Sequence, residues 1–204
     1  MGKKPLIAWT IETAMQCKRL SRVVVSTDDP KIASAAKEHG ADVPFMRPTE
    51  IAQDSTPGIE PVLHAIDLLP EFDWLLLLQP TSPLRNTSDI EGIINLCHNS
   101  NAESAVSLTE APVHPFWTYQ IKDKRIFPFY EKSFVSCRQD LPSAFSINGA
   151  LYLSKVERLK KLKNFISEDT LGYIMPKERS IDIDDELDFR IVQNLISNTP
   201  KFKP

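Results

Sequence analysis

Asp182 and Asp184, in the run Ser180-Ile181-Asp182-Ile183-Asp184, have the spacing in this chain that speaks most directly of chemistry. In an extended backbone successive side chains alternate, so both carboxylates share one face and both isoleucines the other. Two carboxylates a few ångströms apart repel unless a cation or a proton intervenes, and a hard divalent ion such as Mg²⁺ suits such an edge. The competing account is a solvated acidic turn that caps the helix beginning near Asp185-Glu186. A second candidate is the passage from Leu75-Leu76-Leu77-Leu78 into Gln79-Pro80-Thr81-Ser82-Pro83-Leu84-Arg85, where a buried strand enters a turn fixed twice by proline. Gln79 then sits at a strand's carboxyl end, where its amide can donate to and accept from a ribose or a base. Arg85 either braces the loop or meets phosphate.

The elements that must position these residues are written in the hydrophobic pattern. Pro5 to Leu20 carries Ile7, Ile11, Ala14 and Met15 at helical spacing. Arg22 to Ser26 reads as a short buried strand, Asp28-Asp29-Pro30 as a turn, and Lys31 to Glu38 as a helix stopped by Gly40. Asp42 to Met46 is a second short strand, Thr56 to Leu69 a helix, and Trp74 to Leu78 an uninterrupted apolar strand. Ser88-Asp89-Ile90-Glu91 reads as a capping box opening a helix through His98, and Ser104 to Leu108 as a further strand. The alternation predicts an α/β fold, a doubly wound, mainly parallel, Rossmann-like sheet with ligands beyond the carboxyl ends of its strands. Ala111 to Ser143 breaks the pattern: it mixes prolines with Phe116, Trp117, Tyr119, Phe127, Phe129, Tyr130 and Phe134. Aromatic content without helical period predicts a projecting β-ribbon arm, with a second subunit as its partner. Gly149 to Leu153 and Leu171 to Met175 resume the sheet, and Glu186 to Ser197 closes the chain as an amphipathic helix.

The totals narrow the function classes. The chain has 204 residues, 42% hydrophobic, which is enough for one domain with a real core. A net charge of -3 and a pI near 5.8 exclude a dedicated nucleic-acid or membrane surface. Cys17, Cys97 and Cys137 are widely spaced and without a C-x-x-C pairing, which fits reduced thiols in a cytoplasmic protein. The longest apolar run, Trp74 to Leu78, is far too short to span a bilayer.

Beside this stands a resemblance. The strings LLQPTSPLR and SIDIDDELDF, with Arg138-Gln139-Asp140-Leu141-Pro142 followed by Asn148-Gly149-Ala150-Leu151-Tyr152, resemble the bacterial acylneuraminate cytidylyltransferases, or CMP-sialic acid synthetases. The likeness runs from Pro5 to the final helix and includes Val25-Ser26-Thr27-Asp28-Asp29, Arg47-Pro48 and His114-Pro115. It implies a single nucleotidyltransferase domain over residues 1–204 that converts CTP and a nine-carbon sugar acid to the CMP-sugar and pyrophosphate, with Mg²⁺ as cofactor and a homodimer as the assembly. On this resemblance Asp182 and Asp184 hold the metal and Arg138 grips the sugar's carboxylate as a bidentate partner. Asn148 and Tyr152 touch the sugar or its acyl groups, while Gln79, Arg47 and Asp28 face the nucleotide. For Asp28-Asp29 capping of the next helix is the better account, and for Arg47 pairing with Glu50 is an even alternative.

Two departures qualify the likeness. Family members begin with a strand and a Gly-, Arg- and Lys-rich phosphate loop, so the resemblance makes this an N-terminally incomplete domain, short by roughly twenty residues that belong near the middle of the sheet. A non-catalytic relative that keeps the fold is the reading this leaves open. Ser146 stands where sialic-acid members often carry a basic residue, which leaves legionaminate or pseudaminate open as the sugar. The related enzymes for the eight-carbon acid Kdo read Gln-Gly-Asp-Glu-Pro where this chain has Gln79-Pro80-Thr81-Ser82-Pro83, so Kdo is the weaker alternative.

Overall fold

Pro5, extended at φ -62° and ψ 154°, sets the start of the first helix, α1 (Leu6–Gln16). The computed structural model describes residues 4–130 and 141–198. Helix α1 ends four residues before the predicted stop, because Cys17 turns extended and drops into the core at 2% exposure. α2 (Pro30–Glu38) is opened by Asp29, whose carboxylate accepts the N–H groups of Lys31 at 2.6 Å and Ile32 at 3.2 Å. That is the capping expected of the Asp28-Asp29 pair, and it uses Asp29. α3 spans Ile59–Leu68.

The central sheet has the order β1 (Trp74–Leu77), β5 (Phe145–Lys155), β2 (Ser104–Glu110), β6 (Leu171–Ile174). β5 runs antiparallel to both β1 and β2, and β6 runs parallel to β2, so β1, β2 and β6 share one direction. Alternate residues of β1 serve opposite faces. Leu76 and Leu78 pack with α4 (Thr87–Ser100) through Ile90, Ile93 and Cys97, whereas Leu75 and Leu77 join Val62 and Ile66 of α3 and Leu159 of α5 (Val156–Leu162). A strand covered on both faces explains the unbroken leucine run. The capping box of α4 is Asn86 with Asp89, two residues before the predicted Ser88 with Glu91: the Asn86 side chain accepts from Asp89 N–H and Asp89 accepts from Asn86 N–H.

The two strands predicted over Arg22 to Ser26 and Asp42 to Met46 reduce to a single parallel bridge, Val24 with Asp42. Pro44 has no N–H with which to continue the ladder. Among the described residues β1 has no strand on its outer edge; between that edge and the Val23–Val25 segment lies a cavity of about 820 Å³ lined by Ile11, Val23, Val25, Leu75 and Leu77.

The arm is a hairpin of β3 (Tyr119–Lys122) and β4 (Arg125–Pro128), turned by Asp123 and Lys124 at φ 50° and 64°. Its foot is tied to the sheet by Ala111 N–H donating to Ala144 O at 2.9 Å. Ile121 is 77% exposed, Ile126 65% and Phe129 57%. α6 (Glu186–Asn198) returns across α1, with Val192 and Ile196 against Trp9 and Leu84. Among the described residues no helix is long and apolar enough to cross a membrane.

Candidate active site

The core cluster under α6 also takes Ile181 and Ile183, so the isoleucines of the acidic run face inward, as the alternation demands. Ile183 N–H donates to Thr81 O at 2.9 Å, which lays this run against the loop that leaves β1. The α6 cap is made by Asp185 and Asp188: Asp188 N–H donates to Asp185 Oδ1 at 3.0 Å, and Asp188 Oδ2 accepts from the N–H groups of Asp184 and Asp185. The carboxylates of Asp182 and Asp184 are thereby left out of the cap. Asp182 is half-buried and accepts the Ser82 hydroxyl at 3.1 Å; Asp184 is exposed.

Gly149 is where several of the candidate residues meet. It sits at φ +72°, in the left-handed region, and a Cβ there would lie 2.6 Å from Gln79 Oε1, 2.9 Å from Asp182 Oδ2 and 3.3 Å from Ser82 Oγ. Three polar groups thus pack against Gly149, an approach that any side chain at this position would block. A break in the β2–β5 register holds Gly149 there: Val106 pairs Tyr152 and Leu108 pairs Ile147, so the residues from Asn148 to Leu151 bulge opposite Ser107. The Ser107 hydroxyl stitches the bulge, accepting from Leu151 N–H at 2.8 Å and donating to Asn148 Oδ1 at 2.6 Å.

This network corrects the expectation for Asn148. The residue is 4% exposed; its Oδ1 accepts from Ser107 and from Ala150 N–H, and its Nδ2 donates to Ser180 Oγ at 2.9 Å. Its polar atoms are used in joining β5 to the acidic run, so it shapes the site and does not reach into it. Arg85, expected among the substrate contacts, is likewise interior at 2% exposure. It donates to Thr10 Oγ1 at 2.8 Å and to the Gln79 carbonyl, which is the bracing alternative. Burial pulls its pKa down to about 9 against the opposing charges of Asp182 and Asp89, so it stays cationic at neutral pH. Tyr152 packs its half-buried ring on Phe165, centroids 5.4 Å apart, on the α3 and α5 face. Burial, then the charge of Asp182, raises its pKa.

Arg47 donates from Nε to Ser26 Oγ at 3.2 Å and from Nη2 to the Ser26 carbonyl, so it bonds Ser26 where pairing with Glu50 was the alternative. Arg47 and Gln79 line the same cavity beside β1, while Asp28 is exposed and outside its lining. Arg138 lies outside the described residues. Ser82, Gly149 and Ser107 had no separate signal of function in the sequence: Ser82 reads as part of a proline-fixed turn and Asn148-Gly149 as a hairpin dipeptide.

Among the described residues no group of three or more His, Cys, Asp or Glu could hold a metal ion. Mg²⁺ commonly takes one or two carboxylates and completes its shell with water and substrate phosphates. Asp182, half-buried beside Gly149, and the exposed Asp184 fit that donor chemistry.

A Rossmann-like α/β sheet, with polar groups gathered where β1 ends, defines a nucleotide-handling class of protein. The cytidylyltransferase family model matches residues 1–174, and the chain belongs to that family. The N-acylneuraminate cytidylyltransferase of Escherichia coli O18:K1:H7 is 31% identical over 189 residues, which is 92% of this chain and 45% of that protein. The CMP-N,N'-diacetyllegionaminic acid synthase of Legionella pneumophila is 32% identical, over 96% of this chain and 87% of that one. Among solved structures, CMP:2-keto-3-deoxy-manno-octonic acid synthetase in complex with CTP superposes with a TM-score of 0.69 at 16% identity, covering 95% of this chain and 88% of that one. The 4-diphosphocytidyl-2C-methyl-D-erythritol synthase of Anaerococcus prevotii superposes with a TM-score of 0.68 at 11% identity, covering 97% and 88%. These superpositions agree with the α/β fold expected from the sequence.

Proposed function

We propose that this chain is the cytidylyltransferase part of an enzyme that joins CTP to a nonulosonic acid, releasing pyrophosphate. The observation that carries this is the cytidylyltransferase family match together with Gln79, Ser82 and Asp182 packed against Gly149, beyond the carboxyl end of a Rossmann-like strand. The names of the relatives at about 30% identity, N-acylneuraminate and diacetyllegionaminate, favour a nine-carbon sugar acid over Kdo.

In this reading the cytidine lies beyond the carboxyl end of β1, with the Gln79 amide placed to donate to and accept from its polar edge and Arg47 nearby. Asp182 and Asp184 hold Mg²⁺, which when bound neutralises phosphate oxygens against the incoming hydroxyl. Arg85, bonded to the Gln79 carbonyl, keeps the turn from shifting, and the Ser82 hydroxyl fixes one oxygen of Asp182. The sugar acid approaches from a cavity of about 650 Å³ at the foot of the arm, lined by His114, Phe145, Ile174, Met175 and Lys177. The exposed isoleucines and aromatics of the arm pair with a second copy to make a homodimer. The enzyme works in the cytoplasm, where its buried Cys17 and Cys97 remain thiols.

The test is pyrophosphate release from CTP on addition of N-acetylneuraminate, diacetyllegionaminate or pseudaminate, with and without Mg²⁺. Release with one of them, dependent on the metal, supports the proposal. CTP binding without turnover on the whole panel would favour a non-catalytic relative.

A further inference from the structure

Asp89 is fully buried at 0% exposure, yet its carboxylate is held from two sides. Asn86 N–H donates to Oδ2 at 3.0 Å, and the Arg179 guanidinium grips both oxygens, through Nε at 2.9 Å and Nη2 at 2.8 Å. We propose that the Arg179–Asp89 pair is a positioning device for Asp182, fixing the backbone on which the metal-holding carboxylate sits. The inference rests on the metal reading of Asp182 given above.

Helix α4 does not need Arg179 for its start. Asn86 already caps it, and a carboxylate in the first turn is favoured by the helix dipole. Drawing a guanidinium onto that buried carboxylate costs desolvation, so the pair is weak support for stability taken alone. What it does is geometric. Arg179 closes the short turn Lys177–Arg179, three residues before Asp182, while Asp89 stands just after the Gln79–Arg85 loop that carries Ser82. The clamp therefore joins the same two chain segments that meet at Ser82 and Asp182. Beyond Asp182, Ile183 N–H donates to Thr81 O at 2.9 Å, so the run is pinned on both sides of its carboxylate. Between the pins, Ser180 Oγ accepts from Asn148 Nδ2. Supporting contacts of this kind set the orientation of a metal's carboxylate ligand, and their loss commonly costs about 10–100-fold in metal affinity. Tyr173, on β6, packs over the same helix start: a Cβ on Gly92 would strike its ring. Arg179's pKa is raised, first by its bond to Asp89, so it keeps its charge throughout the working range.

Lys at position 179 keeps the charge but cannot grip two oxygens at once, which makes Arg179→Lys the discriminating variant. Asp89→Asn is the second. Mn²⁺ uptake is followed by EPR of the free ion, with and without CTP, alongside thermal melting and the Mg²⁺ dependence of pyrophosphate release. The expected result for folded Arg179→Lys is Mn²⁺ affinity weaker by roughly tenfold, a matching rise in the Mg²⁺ needed for half-maximal rate, and a rate at saturating metal close to that of the unaltered chain. Unchanged Mn²⁺ affinity in a folded variant, while the unaltered chain binds Mn²⁺ and Asp182→Asn does not, overturns the clamp alone. An unaltered chain that takes up no Mn²⁺ overturns the metal reading and the clamp with it.

Discussion

The Ser82 hydroxyl lies 3.1 Å from Asp182 Oδ1, joining two residues a hundred positions apart in the chain. One belongs to the loop leaving β1 and the other to the run before α6, and both pack, with Gln79, against Gly149.

Gly149→Ala pushes Gln79 and Asp182 out of place. The added Cβ would stand 2.6 Å from Gln79 Oε1 at a φ of +72°, so both contact and backbone oppose it. Pyrophosphate release is expected to fall on the order of a hundredfold, and urea denaturation to show a loss of about 1–3 kcal/mol. Undiminished turnover would mean that the placement of Gln79 and Asp182 against Gly149 does not matter to the reaction.

The two acids are expected to separate. Asp184 is exposed, so Asp184→Asn leaves stability within about 0.5 kcal/mol while activity falls on the order of a hundredfold. Asp182→Asn loses a comparable factor in rate. It also weakens the charge-assisted bond from Ser82, a loss of about 1 kcal/mol. Thermal melts read beside Mg²⁺ titrations of the rate separate the two cases.

Ile121 and Ile126, 77% and 65% exposed, face each other across the hairpin register. The double variant Ile121→Lys with Ile126→Lys is expected to convert a dimer to a monomer in light scattering coupled to gel filtration, with the melting temperature of the folded monomer little changed. A variant that elutes unchanged would place the assembly surface away from the arm.

Asp169 gives a pH signature. Bonds from Ser167 and Arg158 draw its pKa from 3.8 to about 2 in the folded chain. Between those values the unfolded state binds more protons than the native one, so the contribution is complete above pH 3.8 and gone below about 2. Asp169 is solvent-exposed, so the effect is small. Urea titrations across this window should show a shallower acid loss for Asp169→Asn than for the unaltered chain.

How much of this was legible beforehand differs from element to element. β1 and α2 stood where the apolar run and the Asp-Pro start put them, because burial on two faces and helix capping are local demands. α5 was not foreseen, since Val156–Leu162 is short and carries Lys160 and Lys161 in its last turn. The capping box of α4 was read two residues late because Ser88 and Asn86 both precede an acidic residue at the right interval, and only the folded bonds choose between them.

The sequence by itself held two accounts of Ser180–Asp184, and alternation along an extended backbone, which puts Ile181 and Ile183 on the core side, is the one whose packing is found. It determined also that Gln79 follows an apolar strand, which ends at Leu77. Tertiary structure alone decided that Asn148 and Arg85 are spent on the interior, and that Gln79, Ser82 and Asp182 meet at Gly149. The physical reason is that hydrogen-bond partners distant in sequence, Ser107 with Asn148 and Thr10 with Arg85, are chosen by the packing of the sheet and helices and leave no pattern along the chain.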